Sequence, residues 1–279
     1  MRKQLQELKI TNFYDCDFLF SELKLDMNEC KTTWSPERSK EQTDLYMYSV
    51  LSQKQKEVLK VNSIDLVLTE KCSLKCKDCA NLMQYYAKPI DEDYEQLTSS
   101  LDQFMNTIDY VREIRIIGGE PLIYKKIDLI VKQLLTYKNF DKIYVYTNGT
   151  IVLKEEKMRI FQDKKIVFKI SNYGKISRNV TALEKMLLKL NITYITERVT
   201  TWQDCARIER YDRPESLTKH IFGNCCENQG LTMLHGKLHL CPFSAHAENL
   251  KAIPQTPEDS VNLNSKQLKE KIYNLYYGK

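Results

Sequence analysis

The stretch Ile64-Asp65-Leu66-Val67-Leu68-Thr69, followed at 72–79 by Cys-Ser-Leu-Lys-Cys-Lys-Asp-Cys, decides how this chain is read. Residues 64–69 are rich in aliphatic side chains and read as a strand. The loop after them carries Cys72, Cys76 and Cys79 in a C-x3-C-x2-C spacing. Three thiolates on one tight loop hold three irons of a cubane cluster and leave the fourth iron open to a substrate or cofactor. The competing reading is structural zinc completed by a ligand elsewhere, although such sites are usually built from paired C-x2–4-C units.

Working outward, the same pattern of strand, loop and helix recurs. Strands are expected at 114–117, 142–146, 166–170 and 192–199, and helices at 94–110, 127–137, 153–161 and 180–190. In the second of these helices, apolar residues fall at 127, 130, 131, 134 and 135, a helical period. Such alternation implies right-handed crossovers and a parallel sheet. The strands end in unusual residues: the three cysteines, then Gly118-Gly119-Glu120-Pro121, Thr147-Asn148-Gly149 and Ser171-Asn172-Tyr173-Gly174. Parallel α/β folds bind ligands at the C-terminal strand ends, so these residues are expected to converge on one site.

The cysteine spacing, the preceding strand and the Gly-Gly-Glu-Pro segment together closely resemble the radical S-adenosylmethionine superfamily, over roughly residues 62–200. The resemblance implies a partial (β/α)6 barrel whose first strand leads into a [4Fe-4S] cluster on Cys72, Cys76 and Cys79. It implies that the open iron chelates S-adenosyl-L-methionine, that one electron cleaves it, and that the 5′-deoxyadenosyl radical abstracts a hydrogen atom. It also implies cofactor contacts from Gly118 and Gly119, with Glu120 ordering that strand end. Two glycines also expose backbone for close approach of a ligand, and a glutamate near a helix start is favourable as a cap. Asn148 and Ser171 fall where the family places ribose or carboxylate contacts, while Thr147-Asn148-Gly149 also reads as a plain turn. Asp78 departs from the family, which often has an aromatic or apolar residue before the third cysteine. Tyr85 and Tyr86 are candidates to cover the adenine or to pack ordinarily.

Beyond Trp202 the pattern changes. Residues 231–234 and 237–241 read as a hairpin turning at His235-Gly236, and 265–276 as a helix. Cys226, Gly236 and Cys241 form a C-x9-G-x4-C arrangement, with Cys205 and Cys225 nearby. This is similar to the SPASM and shorter twitch modules of the same superfamily and implies a second, auxiliary cluster. The spacing leaves open whether Cys225 or Cys226 ligates; the spare thiol of the pair is a candidate hydrogen donor. A zinc site helped by His235, His239 or His246 is the alternative. The expected organisation is therefore an N-terminal extension over 1–60, with a short helix at 49–59, a core over 61–201, and a cysteine-bearing twitch-like module over 202–279.

Nine cysteines, an odd number, without an apolar signal segment argue against a disulfide scaffold and for a reducing compartment, the cytoplasm. No run of eighteen apolar residues suggests a membrane span. The formal charge of +5, from 42 basic and 37 acidic residues, is spread along the chain and gives no nucleic-acid track. Phrases such as Cys79-Ala-Asn-Leu-Met-Gln-Tyr-Tyr86 and Cys241-Pro-Phe-Ser-Ala-His-Ala247 are similar to family members associated with glycan biosynthesis. The expected reaction is dehydrogenation of a sugar, nucleotide sugar or related small molecule, with electrons from a flavodoxin or ferredoxin. Epimerisation, peptide modification, and a non-catalytic iron–sulfur or zinc protein are the alternatives.

Overall fold

The computed structural model describes residues 58–201, 207–225, 227 and 230–278. The expectations for residues 1–57, and for Cys16, Cys30, Cys205 and Cys226, lie outside the described residues. Lys60–Lys279 form one compact unit. Its strands are β1 (Lys60–Val67), β2 (Tyr110–Ile117), β3 (Phe140–Thr147), β4 (Ile166–Asn172), β5 (Thr193–Arg198), β6 (Gly230–Leu234), β7 (Lys237–His239) and β8 (Ser260–Asn262). Its helices are α1 (Tyr94–Thr107), α2 (Ile127–Leu134), α3 (Glu155–Met158), α4 (Val180–Lys189), α5 (Glu215–Gly223), α6 (Pro242–Asn249) and α7 (Leu268–Tyr277). No helix among the described residues is long and apolar enough to cross a membrane.

The strands make one eight-stranded sheet in the order β5-β4-β3-β2-β1-β6-β7-β8. Strands β1 to β5 are parallel and successive, as the strand–helix alternation requires. Strand β6 then pairs parallel with β1 on its other side, and β7 and β8 follow antiparallel. The six parallel strands are thus five in chain order plus β6 across β1, an α/β partial barrel that the C-terminal hairpin extends.

Register explains why one face of this sheet is a site. Ile64, Leu66, Ile114, Ile116, Ile143, Val145, Phe168 and Ile170 share one face and are buried. Helices α1, α2 and α4 bury stripes at helical spacing, such as Leu97, Leu101 and Phe104 in α1. The opposite face carries Ser63, Asp65, Glu113, Arg115, Tyr144, Tyr146 and Lys169, with Asp65 beside Arg115 and Tyr146 beside Lys169. Most parallel sheets are apolar on both faces. A polar second face is the signature of an open, solvent-reaching interior.

Helix α6 covers one end of that interior. Its Ala245 packs with Val67 and Leu234, and its Ala247 with Leu82 just beyond the cysteine loop. Neither α5 nor α6 is among the expected helices. The signal for α6 was present in Cys241-Pro242, since proline is preorganised for the first helical position. Cys241 is the N-cap, and its Sγ accepts from the Ser244 backbone at 3.4 Å.

Candidate active site

The loop at 72–79 is fastened to the end of β2 by the backbone itself. Gly119 N–H donates to the Thr69 carbonyl and Glu120 N–H to the Lys71 carbonyl, both at 2.8 Å. Asn81 Nδ2 adds a bond of 2.6 Å to the Gly118 carbonyl. The two glycines are needed for this approach. A Cβ on Gly119 would lie 2.2 Å from the Lys71 carbonyl oxygen and 2.8 Å from the Cys72 Cβ, and one on Gly118 would lie 2.5 Å from the Thr69 carbonyl oxygen. The close partner of Gly119 is therefore the root of the cysteine loop.

Glu120 is fully buried and joins two strand ends. Its carboxylate accepts from Asn148 N–H at 2.8 Å, Thr147 Oγ1 at 2.8 Å and Leu122 N–H at 3.2 Å. The last of these caps a short 3-10 turn at Pro121–Ile123, so capping and ordering are one role. Burial pushes its acid up to about 7 although all three donors pull it down. Glu120→Gln should cost about 2 kcal/mol, because an amide placed against the Asn148 N–H leaves a buried donor facing a donor. Urea denaturation of the purified variant measures this.

Asn148 in turn grips the loop. Its Nδ2 donates to Ser73 Oγ at 3.1 Å and reaches Cys72 Sγ at 3.6 Å, while its Oδ1 accepts from Thr150 Oγ1 at 2.6 Å. Ser73 and Thr150 hydroxyls bond to each other. The Leu74 N–H also points at Cys72 Sγ, at 3.4 Å. N–H groups directed at a cysteine sulfur suit a thiolate ligand of a cluster. Among the described residues no three His, Cys, Asp or Glu side chains converge on a single ion. A cubane does not need that convergence, because each thiolate binds its own iron. The soft all-thiol donor set on one loop, with N–H groups aimed at a sulfur, fits such a cluster.

Beside this loop opens a cleft of about 320 Å³, lined in part by Cys79, Gly118, Gly119, Asn148 and Ser171. Five of the residues singled out from the sequence thus share one cavity. Glu120 lies beneath it. Cys225 is exposed just past α5, and Cys241 caps α6, whose Pro242 lines the cleft. Sequence reasoning missed Asp65, Arg115, Tyr146 and Glu227, which also line the cleft. The signal for the first two was a charged residue at alternate positions inside otherwise aliphatic strands.

With the cysteine loop, the Gly-Gly-Glu-Pro strand end and the cleft between them in place, the likeness to known proteins can be read. Residues 66–171 match the radical SAM superfamily. Over these residues the chain is a radical SAM domain. The GTP 3′,8-cyclase of Campylobacter jejuni subsp. doylei is 30% identical over 97 residues, 33% of this chain. This chain spans only 29% of that protein's length. The structure of BtrN with AdoMet and 2-DOIA is similar over 78% of this chain and 84% of that one, at 15% identity and a TM-score of 0.52. Streptococcus suis SuiB bound to S-adenosylmethionine is similar over 94% of this chain and 78% of that one, at 14% identity and a TM-score of 0.47.

In this radical SAM chain Asp78, where the family often has an apolar residue, pairs with Arg207 Nε at 2.9 Å. Tyr86 packs edge-on to His246 and its hydroxyl lies 2.7 Å from His246 Nδ1, the ordinary packing role. Tyr85 is largely exposed and its hydroxyl accepts from Ile208 N–H at 3.4 Å.

Two of the histidines considered for zinc, His235 and His246, are placed for other work. His235 sits between two buried carboxylates, with Nε2 3.0 Å from Glu70 and Nδ1 3.0 Å from Glu92. Hydrogen bonds to Glu70 and Glu92 raise it to about 10. An imidazolium has no lone pair for a metal. His246, driven down to about 3 by burial, gives its Nδ1 to Tyr86. His235→Asn keeps a residue tolerant of the left-handed backbone at φ 47° but strands the two carboxylates, and should cost about 3 kcal/mol. The His235 pKa is raised from 6.5 to about 10, so this stabilisation is full below 6.5 and is lost as pH climbs through 10. Denaturant titrations of both proteins across that range measure it.

Proposed function

We propose that this chain is a radical SAM enzyme acting on a small molecule or peptide held in the cleft beside Cys72, Cys76 and Cys79. The convergence of Cys79, Gly118, Gly119, Asn148 and Ser171 on one cavity carries this reading. Cys72, Cys76 and Cys79 would hold a [4Fe-4S] cluster, which together with S-adenosylmethionine would supply the radical chemistry for hydrogen-atom abstraction. The chain's own part is to fix that geometry. Gly119 and Glu120 anchor the loop through backbone bonds, Asn148 holds Ser73 and faces Cys72, and α6 closes one end of the interior.

Among the finer readings, dehydrogenation of a sugar has less support than its alternatives. It needs a second cluster as electron acceptor, and Cys205 and Cys226, expected among its ligands, lie outside the described residues. A reaction that returns a hydrogen atom needs no such acceptor, and Cys225 is an exposed thiol near the cleft-lining Glu227. In our reading the protein works in the reducing cytoplasm and draws electrons from a flavodoxin or ferredoxin.

Anaerobic protein given dithionite and S-adenosylmethionine should form 5′-deoxyadenosine; a folded, iron-loaded protein that forms none would end this reading. Once a substrate is found, the reaction in deuterated water separates its fates. A product of unchanged connectivity with solvent deuterium means hydrogen return, and a product lacking a pair of hydrogens means dehydrogenation.

A further inference from the structure

Across the polar face of the sheet runs an ionic cluster that the radical chemistry does not use. Arg115 on β2 reaches Asp65 on β1 at 3.5 Å, Glu227 just before β6 at 3.2 Å and Glu113 at 3.7 Å. Its Nη2 donates to Ser63 Oγ at 2.8 Å. Asp65, Arg115 and Glu227 all line the cleft that contains Cys79 and the two glycines.

We propose that this cleft selects a substrate bearing an ammonium group, which Asp65 and Glu227 hold while Arg115 keeps the two carboxylates in position. The inference rests on the radical SAM reading of the same cleft and names the chemistry of what enters it.

Charge count is the first argument. Three carboxylates surround one guanidinium, and that guanidinium is already engaged by all three and by Ser63. Two further cations stand on this face: Lys142, opposite Glu113 in register, donates to the Lys164 carbonyl at 2.9 Å, and Lys169 on β4 stands over the Tyr144 and Tyr146 rings at 5.2 and 5.5 Å from their centroids. Neither lysine lines the cleft, where Asp65 and Glu227 face the single cation Arg115 and leave an excess of negative charge. A phosphate or carboxylate on a substrate would be repelled by that excess.

The second argument is the state of Asp65. Only 5% of its surface is exposed, and what it exposes faces the cleft. Arg115 reaches one of its oxygens only at the limit of hydrogen bonding, 3.5 Å. Burial, with the Glu227 and Glu113 charges, raises Asp65 to about 7 although Arg115 opposes them. A second cation against Asp65 removes that penalty, whereas a neutral hydroxyl does so only weakly. Tyr146 borders the same space, and its aromatic face is a further favourable wall for an ammonium.

The test is calorimetric titration of anaerobic, cluster-reconstituted protein with S-adenosylmethionine present. The probes are glucosamine, N-acetylglucosamine, glucose 6-phosphate and the tripeptide Gly-Lys-Gly. We expect glucosamine, the lysyl peptide or both to bind about tenfold more tightly than the neutral and anionic probes, the ratio worth 1.4 kcal/mol. The tighter of the two amines assigns the ammonium to an amino sugar or to a peptide side chain. Asp65→Asn, nearly isosteric, should erase the preference. Glu227→Gln, at a more exposed position, should reduce it and serves if the Asp65 variant does not fold. Equal binding of all probes, tighter binding of the phosphate, or a preference that survives Glu227→Gln together with a folded Asp65→Asn would overturn the proposal. The 5′-deoxyadenosine assay stands apart. Failure there with the amine preference intact defeats the radical reading alone, and cleavage without amine preference defeats this inference alone.

Discussion

Changing Cys72, Cys76 and Cys79 together to Ala should take 5′-deoxyadenosine formation below detection while leaving the fold in place. The three side chains are partly exposed on a loop and add little to the core, which lies in the aliphatic face of β1 to β4 and the helices over it. Loss of activity therefore reads out cluster binding and not collapse, provided circular dichroism and the denaturation midpoint stay near those of the parent. Iron analysis adds a second result. About four irons per parent chain means one cubane and about eight means two. A triple variant that keeps about four supports an auxiliary site on the C-terminal cysteines, and one that keeps none confines iron to the loop. A triple variant that still cleaves S-adenosylmethionine removes these thiols from the chemistry.

Gly119→Val should destabilise the protein by about 3 kcal/mol or more, the upper range for overpacking. From the sequence, the double glycine suggests room for a ligand, so a side chain there is expected to impair cofactor binding more than folding. The geometry reverses that order. The added carbon would strike the Lys71 carbonyl at 2.2 Å, which is backbone and cannot swing aside. Relief requires Lys71 and Cys72 to move, which breaks the Glu120-to-Lys71 hydrogen bond. The variant should lose stability first and iron with it. Gly223→Ala is the control: its added carbon meets nothing within 4 Å, and the change should be neutral or slightly stabilising. Normal stability of Gly119→Val with weakened S-adenosylmethionine binding would restore the ligand-room explanation.

Some elements were readable from pattern alone and others were not. Strand β4 and helices α2 and α4 fall within a few residues of their expected places, because each carries a strong apolar period and a clear break after it. Expected helix 153–161 became a four-residue turn of α-helix, Glu155–Met158, running into a 3-10 turn over Arg159–Phe161. Helix α5 was missed because it is only nine residues long and its apolar positions, Leu217, Ile221 and Phe222, span little more than one turn.

What the sequence determined by itself is the chemistry at the strand ends. Three thiols at fixed spacing after a strand, and a Gly-Gly-Glu-Pro after the next, are local patterns whose meaning depends on neighbours within a few residues. Tertiary structure decided which distant residues share the cavity. Asp65 and Arg115 meet because parallel register sets them side by side, and Glu227 joins them because β6 returns to the far side of β1. It also decided that Gly119 faces the Lys71 backbone and that His235 bridges Glu70 and Glu92 across a separation of more than 140 residues. Such contacts arise from pairing between segments far apart in the chain, and no local period encodes them.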